Sequence, residues 1–394
     1  MKFYIATEDD IMSGGTTDVY FTRTMEILKA FDMTGLHVIA DFTTSSLPGG
    51  WDWGIFCGLS EIAHLLAGRD IDLYAMPEGT VFRPRTKKGV LVPVMYAEGK
   101  YGEFCIFETP MLGLICQASG IATATARCRM AAGNATLISF GTRRMHPALA
   151  PVIDRYAFIG GCDGVSSLAG AEALGEKPMG TMPHALIICF GDQKKAFAAF
   201  DKVISEDVPR IALVDTYCDE KAEAIMACEA VKNLAGVRLD TPRSRRGSFV
   251  DLLREVRWEL DLRGYGHVRI FVSGGLDEST IAELARAGAD GFGVGTAISN
   301  AATVDFGMDI VEKEGKPVAK RGKFGGRKFV YRCPECFEFE VRGRDEETVC
   351  GCGTRMEPML EKHIEGGRLI KPLPDVHDMR KRVLEQLEKI GSIT

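Results

Sequence analysis

The sequence predicts an α/β protein. The expected fold is an irregular α/β barrel, preceded by an α+β domain and followed by a small cysteine-bearing, zinc-ribbon-like domain. Three observations carry this. From residue 137 onward, short apolar strands end in polar or glycine residues and run into helices. Their starts at Ile211, Val237, Val268 and Gly291 lie 26, 31 and 23 residues apart, the spacing of successive βα units. The strands are too apolar to face water, which fits a parallel sheet buried on both sides. Finally, the cysteines divide into eight scattered through the chain and four crowded near its C-terminal end. An open, doubly wound sheet is the alternative arrangement of the same units.

Taken in order, ATEDDIMSGG carries capping residues ahead of an amphipathic helix over Val19–Ala30, and LHVIADFTTS reads as a strand. A helix is expected over 56–67, and LYAMPEGTVF and VPVMYAEGKYGEFC read as strands with Pro and Gly turns. Residues 108–132 are small, apolar and turn-poor, which predicts one long buried helix or a pair. The βα units follow: LISF, AFIGG, IALVD, GVRLD, VRIFVSGG and GFGVG are each taken as a strand and its carboxyl end. The expected boundaries are 1–115 for the α+β domain, rejoined by 304–328, then 116–303 for the barrel and 329–394 for the cysteine domain with a charged surface helix as its tail.

A chain of 394 residues with 46% apolar and 26% charged residues is globular, which excludes disordered and fibrous classes. The net charge of −6 disfavours a chain-wide grip on nucleic acid. No uninterrupted apolar run reaches the roughly 18 residues that cross a bilayer. Acids stand where a secretory leader would be apolar, so a cytoplasmic location is expected. The scattered cysteines agree, reading as small buried hydrophobes in a reducing compartment.

The clustered cysteines form Cys333-x-x-Cys336 and Cys350-x-Cys352. Two close pairs on tight turns suit one tetrahedral zinc in a closed structural site. Basic residues around them (Arg327, Lys328, Arg332, Arg342, Arg344) leave a zinc-ribbon nucleic-acid binder as an alternative. Glu335, Glu338, Glu340, Asp345, Glu346 and Glu347 offset that charge.

Chemistry in α/β barrels sits at the carboxyl ends of the strands. There the sequence places Phe140, Arg143, Arg144 and His146; Cys162 and Asp163; Thr181 and His184; Asp215; Arg238, Asp240, Arg243, Arg245 and Arg246; Ser273, Gly274 and Gly275; and Gly293, Gly295 and Thr296. Glycines at the ends of two consecutive late strands let backbone N–H groups approach an anion, which predicts a phosphate site. The arginines exceed what one phosphate needs and suggest a pyrophosphate, or a phosphate with a carboxylate. Asp163, Asp215 and Asp240 could hold ribose hydroxyls or Mg²⁺, or pair with the arginines. His184 is the candidate acid/base or phosphoryl acceptor, with His146 a weaker second. A sugar-phosphate isomerase or lyase would explain the glycines but not the arginine surplus.

In order, the segments TTDVYFTRT, SFGTRRMHP, GGCDGVSS, MGTMPHAL, VDTYCDE, VRLDTPRSRRG, VSGGLDE and FGVGTAIS resemble those of the nicotinate phosphoribosyltransferases, type II phosphoribosyltransferases. The resemblance covers essentially the whole chain, including a cysteine-bearing C-terminal domain like that of archaeal members. It implies nicotinate mononucleotide and pyrophosphate made from nicotinate and phosphoribosyl pyrophosphate, with ATP hydrolysis coupled through a phosphohistidine, here His184. It implies that Tyr20 stacks on the pyridine, donated by a neighbouring subunit of at least a dimer, with Phe140 on the other ring face. Thr181 would lie beside nicotinate and Arg238 against its carboxylate. Thr296, Gly293 and Gly295, with Gly274 and Gly275, would hold the 5-phosphate. Asp163, Asp215 and Asp240 would surround the ribose and its Mg²⁺. Nicotinamide and quinolinate phosphoribosyltransferases are the near alternatives.

Overall fold

The structure, a computed structural model, describes residues 3–393 and consists of two compact units. One comprises the chain up to Thr123 together with Ala302 onward; the other is Ala124–Ala301.

The first unit opens with α1 (Glu8–Met12) and α2 (Val19–Ala30). Thr7 and Asp10 close a capping box on α1: Thr7 Oγ1 accepts from the Asp10 amide at 3.2 Å, and the Asp10 carboxylate from the Thr7 amide at 2.9 Å. The strand β1 (His37–Thr44) follows, then β2 (Gly54–Phe56) and α3 (Leu59–Leu66). The expected helix over 56–67 thus starts three residues late, because Phe56 pairs in a strand. The stretch LYAMPEGTVF gives two strands in different sheets, β3 (Ile71–Ala75) and β4 (Thr80–Phe82), separated at Pro77; β5 (Met95–Lys100) and the short α4 (Tyr101–Phe104) come next.

Residues 108–132 form one helix, α5 (Glu108–Ala132). The helical stretch Tyr101–Ala132 is long and apolar enough to cross a membrane, which the run-length reading missed, yet 56% of its most apolar window is buried within the protein. Its polar side chains are spent on the chain itself. Thr123 Oγ1 accepts the Ile55 amide at 2.8 Å, and Ser119 Oγ the Cys57 amide at 3.0 Å. These are the contacts of a core helix.

The second unit alternates strands and helices. Its strands are β6 (Thr136–Ser139), β7 (Gly164–Val165), β8 (Ile211–Leu213), β9 (Gly236–Leu239), β10 (Arg269–Ser273) and β11 (Gly291–Val294). Its helices are α6 (Ala150–Ile159), α7 (Leu168–Leu174), α8 (His184–Phe190), α9 (Gln193–Val203), α10 (Glu220–Ala230), α11 (Phe249–Leu262), α12 (Glu278–Arg286) and α13 (Thr296–Ser299). Ser167, Asp192, Asp219, Ser248 and Asp277 each cap a helix by accepting a first-turn amide, which is why the chain turns into a helix there. The six strands pair in parallel in the order β7-β6-β11-β10-β9-β8. The first strand pairs with the last, as in a barrel. The ladder remains unjoined between β7 and β8, so the sheet is not closed. In sequence, that opening is filled by α7, α8 and α9.

One expected strand is a helix. AFIGG closes α6, where Tyr156, Ala157, Phe158 and Ile159 are all buried. An unbroken apolar run has no period to separate strand from helix, and Pro151 in the first turn supplied the helix start.

The chain then returns to the first unit. The strand β12 (Phe306–Lys313) pairs antiparallel along β1, and β13 (Lys316–Pro317) along β12. Three short strands, β14 (Phe329–Arg332), β15 (Phe339–Arg342) and β16 (Glu357–Pro358), form a small sheet. Next, β17 (Glu361–Glu365) pairs with β3, and β18 (Arg368–Leu369) with β17, completing a seven-stranded sheet in the order β13-β12-β1-β5-β3-β17-β18. The cysteine region therefore shares the first unit's sheet and core, to which Val330, Phe339, Met359 and Ile364 belong. The tail helix α14 (Val376–Ile393) is also more than a surface element. It buries Met379, Val383, Leu387 and Ile390, and its buried Gln386 hydrogen-bonds the Val81 amide and the Gly79 carbonyl.

Candidate active site

At the carboxyl ends of β6, β9, β10 and β11 lies a cavity of 390 Å³ within the second unit. Eleven of the site residues expected from the sequence line it: Phe140, Arg143, Thr181, Arg238, Asp240, Ser273, Gly274, Gly275, Gly293, Gly295 and Thr296. Arg144 is there too, beside Arg143 on the turn Thr142–Arg144.

Two glycines are required by geometry. Gly274 adopts φ +93°, and a Cβ there would stand 3.0 Å from Asp240 Oδ1. A Cβ on Gly293 would stand 2.3 Å from the Phe140 ring. Gly293 thus seats an aromatic side chain, a role its place in GxGT did not suggest. Arg238 lies near that ring, its guanidinium carbon 5.8 Å from the ring centre. One terminal nitrogen reaches the Met182 carbonyl at 3.4 Å, while its buried Nε has no hydrogen-bond partner. Burial holds this guanidinium below the usual arginine value, partly offset by Asp240 and Asp215. A half-buried cation with an unpaired Nε beside an aromatic face fits a planar carboxylate ligand.

His184 is the first residue of α8, directly after Pro183. Its Nε2 lies 3.8 Å from Asp215 Oδ1 and 3.8 Å from Asp240 Oδ2. Its Nδ1 is 3.1 Å from Thr216 Oγ1. Ser273 Oγ donates to Asp240 Oδ1 at 2.8 Å, and the Asp240 amide to Asp215 Oδ2 at 3.2 Å. Burial pushes Asp215 up to about 6, reinforced by Asp240 and opposed by His184. Its Oδ1 is buried without a hydrogen bond. Two carboxylate oxygens facing one imidazole offer hard donors for a divalent cation and a counter-charge for a protonated ring.

Asp163 is not part of this group. It accepts from Arg129 at 2.8 Å and from the Leu137 amide, at the amino end of β6, at 2.9 Å. Because AFIGG is helical, Asp163 leads into β7 rather than out of a strand. Tyr20 belongs to the first unit and is 56% exposed on α2. His146 accepts the Ala148 amide through Nδ1 at 3.2 Å and caps a short turn. Arg243 and Arg245 are exposed, and Arg246 bonds the Thr241 carbonyl and stacks on Phe249. The arginine surplus in the cavity is therefore three side chains, not six.

Met179, Met182 and Pro183 also line the cavity and give it an apolar wall; nothing in MGTMPHAL marked them beyond their apolar character. A second missed group is Glu223, fully buried on α10 beside the His184 site. Its only mark in the sequence is a charge on the buried stripe shared with Ala224 and Ala227.

The four clustered cysteines have Sγ atoms within 4.8 Å of one another. Cys333 to Cys352 is 3.6 Å, Cys336 to Cys350 is 3.5 Å and Cys336 to Cys352 is 3.9 Å. A disulfide needs about 2.05 Å. Thiolates about 2.3 Å from a tetrahedral zinc lie roughly 3.8 Å apart, so this donor set fits zinc and leaves no open coordination position.

Two family profiles match in register with this architecture: the quinolinate phosphoribosyl transferase N-terminal domain over residues 18–119 and its C-terminal domain over 121–309. A nicotinate phosphoribosyltransferase of Mycobacterium tuberculosis, pncB1, is 34% identical over 278 residues, covering 67% of this chain and 59% of its own length. A second from the same organism, pncB2, is 31% identical over 402 residues, covering 96% of this chain and 79% of its own length. The chain belongs to the nicotinate phosphoribosyltransferase family. A solved structure of nicotinate-nucleotide pyrophosphorylase from Pyrococcus furiosus is similar at a TM-score of 0.95 and 55% identity, over 99% of each chain. The match to pncB1 spans about three fifths of that relative's length. Within the nicotinate phosphoribosyltransferase family, the cavity described here falls in the part matched by the C-terminal domain profile.

Proposed function

We propose that this protein transfers the phosphoribosyl group of phosphoribosyl pyrophosphate to the ring nitrogen of nicotinate, releasing pyrophosphate. The observation that carries this is Arg238, a half-buried arginine with a buried, unpaired Nε beside Phe140, in one cavity with the glycines of β10 and β11. The pyridine ring lies on Phe140 with its carboxylate on Arg238, and Thr181 borders it. The backbone amides of Gly274, Gly275, Gly295 and Thr296 receive the 5-phosphate. Arg143 and Arg144 balance the departing pyrophosphate. As the bond from ribose C1 to the leaving oxygen breaks, positive charge develops on the sugar; Asp215 and Asp240 stabilise it electrostatically. The same two carboxylates would hold Mg²⁺, which would supply charge neutralisation for the departing pyrophosphate.

In this reading, ATP transfers its γ-phosphoryl group to His184, giving ADP, and water later releases phosphate from the histidine. The aspartates at 3.8 Å orient the ring for that transfer. Tyr20 covers the free face of the pyridine and is supplied by a second copy of the chain. Tyr20 and Ile27 fall on one helical face of α2, with Phe31 at its C-cap, and the three are 56%, 59% and 72% exposed, an apolar strip suited to a partner. The cysteine cluster holds a structural zinc. The eight scattered cysteines, none in a disulfide, suit a reducing cytoplasm.

Nicotinate, nicotinamide and quinolinate, each offered with phosphoribosyl pyrophosphate with and without ATP, test the reading through pyrophosphate release. Release with nicotinate, faster with ATP, is expected. Release with quinolinate alone would replace the substrate, a reading that the two further arginines and the family profiles keep in play. γ-Labelled ATP should give an acid-labile label on the parent chain that disappears in His184→Ala.

A further inference from the structure

Glu223 is fully buried, and a buried carboxylate costs several kcal/mol unless its oxygens are occupied. Here they are. Oε2 accepts the Thr216 amide at 3.0 Å. Oε1 accepts the Tyr217 amide at 2.5 Å, the Cys218 amide at 2.7 Å and the side-chain amide of Gln193 at 2.9 Å. Three consecutive backbone donors and one side chain converge on a single carboxylate from the next helix. The loop so held, directly after β8, carries the two residues that meet His184 from this side: Asp215, facing Nε2, and Thr216, in contact with Nδ1. An alanine on the same face of α10, like Ala224 or Ala227, would pack without this cost.

We propose that Glu223 is a positioning residue for His184, acting through the Thr216 hydroxyl. With the backbone of residues 216–218 pinned, Thr216 Oγ1 stays within hydrogen-bond reach of Nδ1, and Nε2 is turned toward Asp215 and Asp240. Gln193, at the start of α9, ties the helix that follows the His184 helix to the same carboxylate. The inference rests on the reading of His184 given above.

The test is a double-mutant cycle on the full chain, read as kcat and KM for nicotinate and phosphoribosyl pyrophosphate in the presence of ATP, with Tm in parallel. Glu223→Gln keeps the shape but turns an acceptor into a donor facing backbone N–H groups. It should lower kcat about tenfold or more while both KM values stay within about twofold. Thr216→Val should lower kcat comparably. The double variant should be no slower than the slower single one, because both changes release the same ring. Multiplying losses overturn the proposal, as does a Glu223→Gln variant that loses Tm but keeps kcat. Should Glu223→Gln fail to fold, Gln193→Met removes one of the four donors; a kcat loss that vanishes in the Thr216→Val background supports the proposal, and an undiminished one overturns it. His184→Ala separates the two levels. If it keeps kcat, the role of His184 itself falls. If it loses kcat while Glu223→Gln does not, only the positioning role falls.

Discussion

Arg238 illustrates how a single residue can be costly to the fold and useful to the site. Its guanidinium is largely desolvated, yet it makes only one long hydrogen bond and leaves Nε orphaned. A group in that state is stabilised by a ligand more than by the protein around it. Arg238→Ala should therefore raise the KM for nicotinate about 100-fold, the effect of stranding a carboxylate without its partner, and leave Tm close to the parent value. An unchanged KM would dismiss the pairing. Asp215 makes a comparable argument through pH. Its carboxyl is raised above the ordinary 3.8 to about 6, so the folded chain binds that proton more tightly than the unfolded chain. The stability this confers is present below about pH 4 and lost as pH rises through about 6. Asp215→Asn removes that loss. Its Tm relative to the parent should improve by about 2–4 °C between pH 4.5 and pH 7.5, even as activity falls; a gap independent of pH would show that the carboxyl is not held in this state.

At the scale of elements, the sheet of the second unit was readable because each strand ends at an abrupt change of chemistry. IALVD and GVRLD pass from apolar to acid within one residue and VRIFVSGG passes to serine and then glycine, and Asp219, Ser248 and Asp277 then cap the following helix. That alternation made Asp215, Arg238, Asp240, Ser273 and Gly274 visible before any coordinates. Where the transition lacked a period, as in AFIGG, strand and helix were indistinguishable, and Asp163 was carried to the wrong end of the sheet along with them. Glu223 stayed hidden for a different reason. Its partners are backbone amides, which leave no trace in residue type. The cysteine cluster was legible from spacing alone, but the attachment of this region to the first unit through β17 was not, because antiparallel pairing between residues 71–75 and 361–365 is a long-range event. The cluster packed directly on the cysteines is small, centred on Tyr331, Cys333 and Met356, so a bound zinc would add stability there, on the order of 10 kcal/mol for an intact site. Cys352→Ser, at the exposed ligand, should lose one bound zinc per chain and lower Tm. Because every residue lining the cavity lies in the other unit, kcat measured well below the melt should hold. A chain that contains no zinc as purified and melts like the variant would refute the metal's role.

At the scale of the whole molecule, the cavity has an aromatic floor at Phe140 and no second aromatic among its lining residues, although a pyridine is held best between two faces. The candidate for the second face is Tyr20, on a helix whose exposed strip includes Ile27 and Phe31. If a neighbouring copy supplies it, Tyr20→Ala and His184→Ala damage different halves of a shared site. Each should be nearly inactive alone. When the two are mixed and allowed to exchange subunits, half of the assemblies of a dimer pair one of each. In such a hybrid, one site carries both substitutions and the other carries neither, so about a quarter of all sites become intact. Recovery toward that level, dependent on exchange and absent when the proteins are mixed only at assay, is the expected outcome. Recovery no greater than the sum of the separate activities would mean that each chain completes its own site, and the apolar strip on α2 would then serve packing between copies without entering the chemistry.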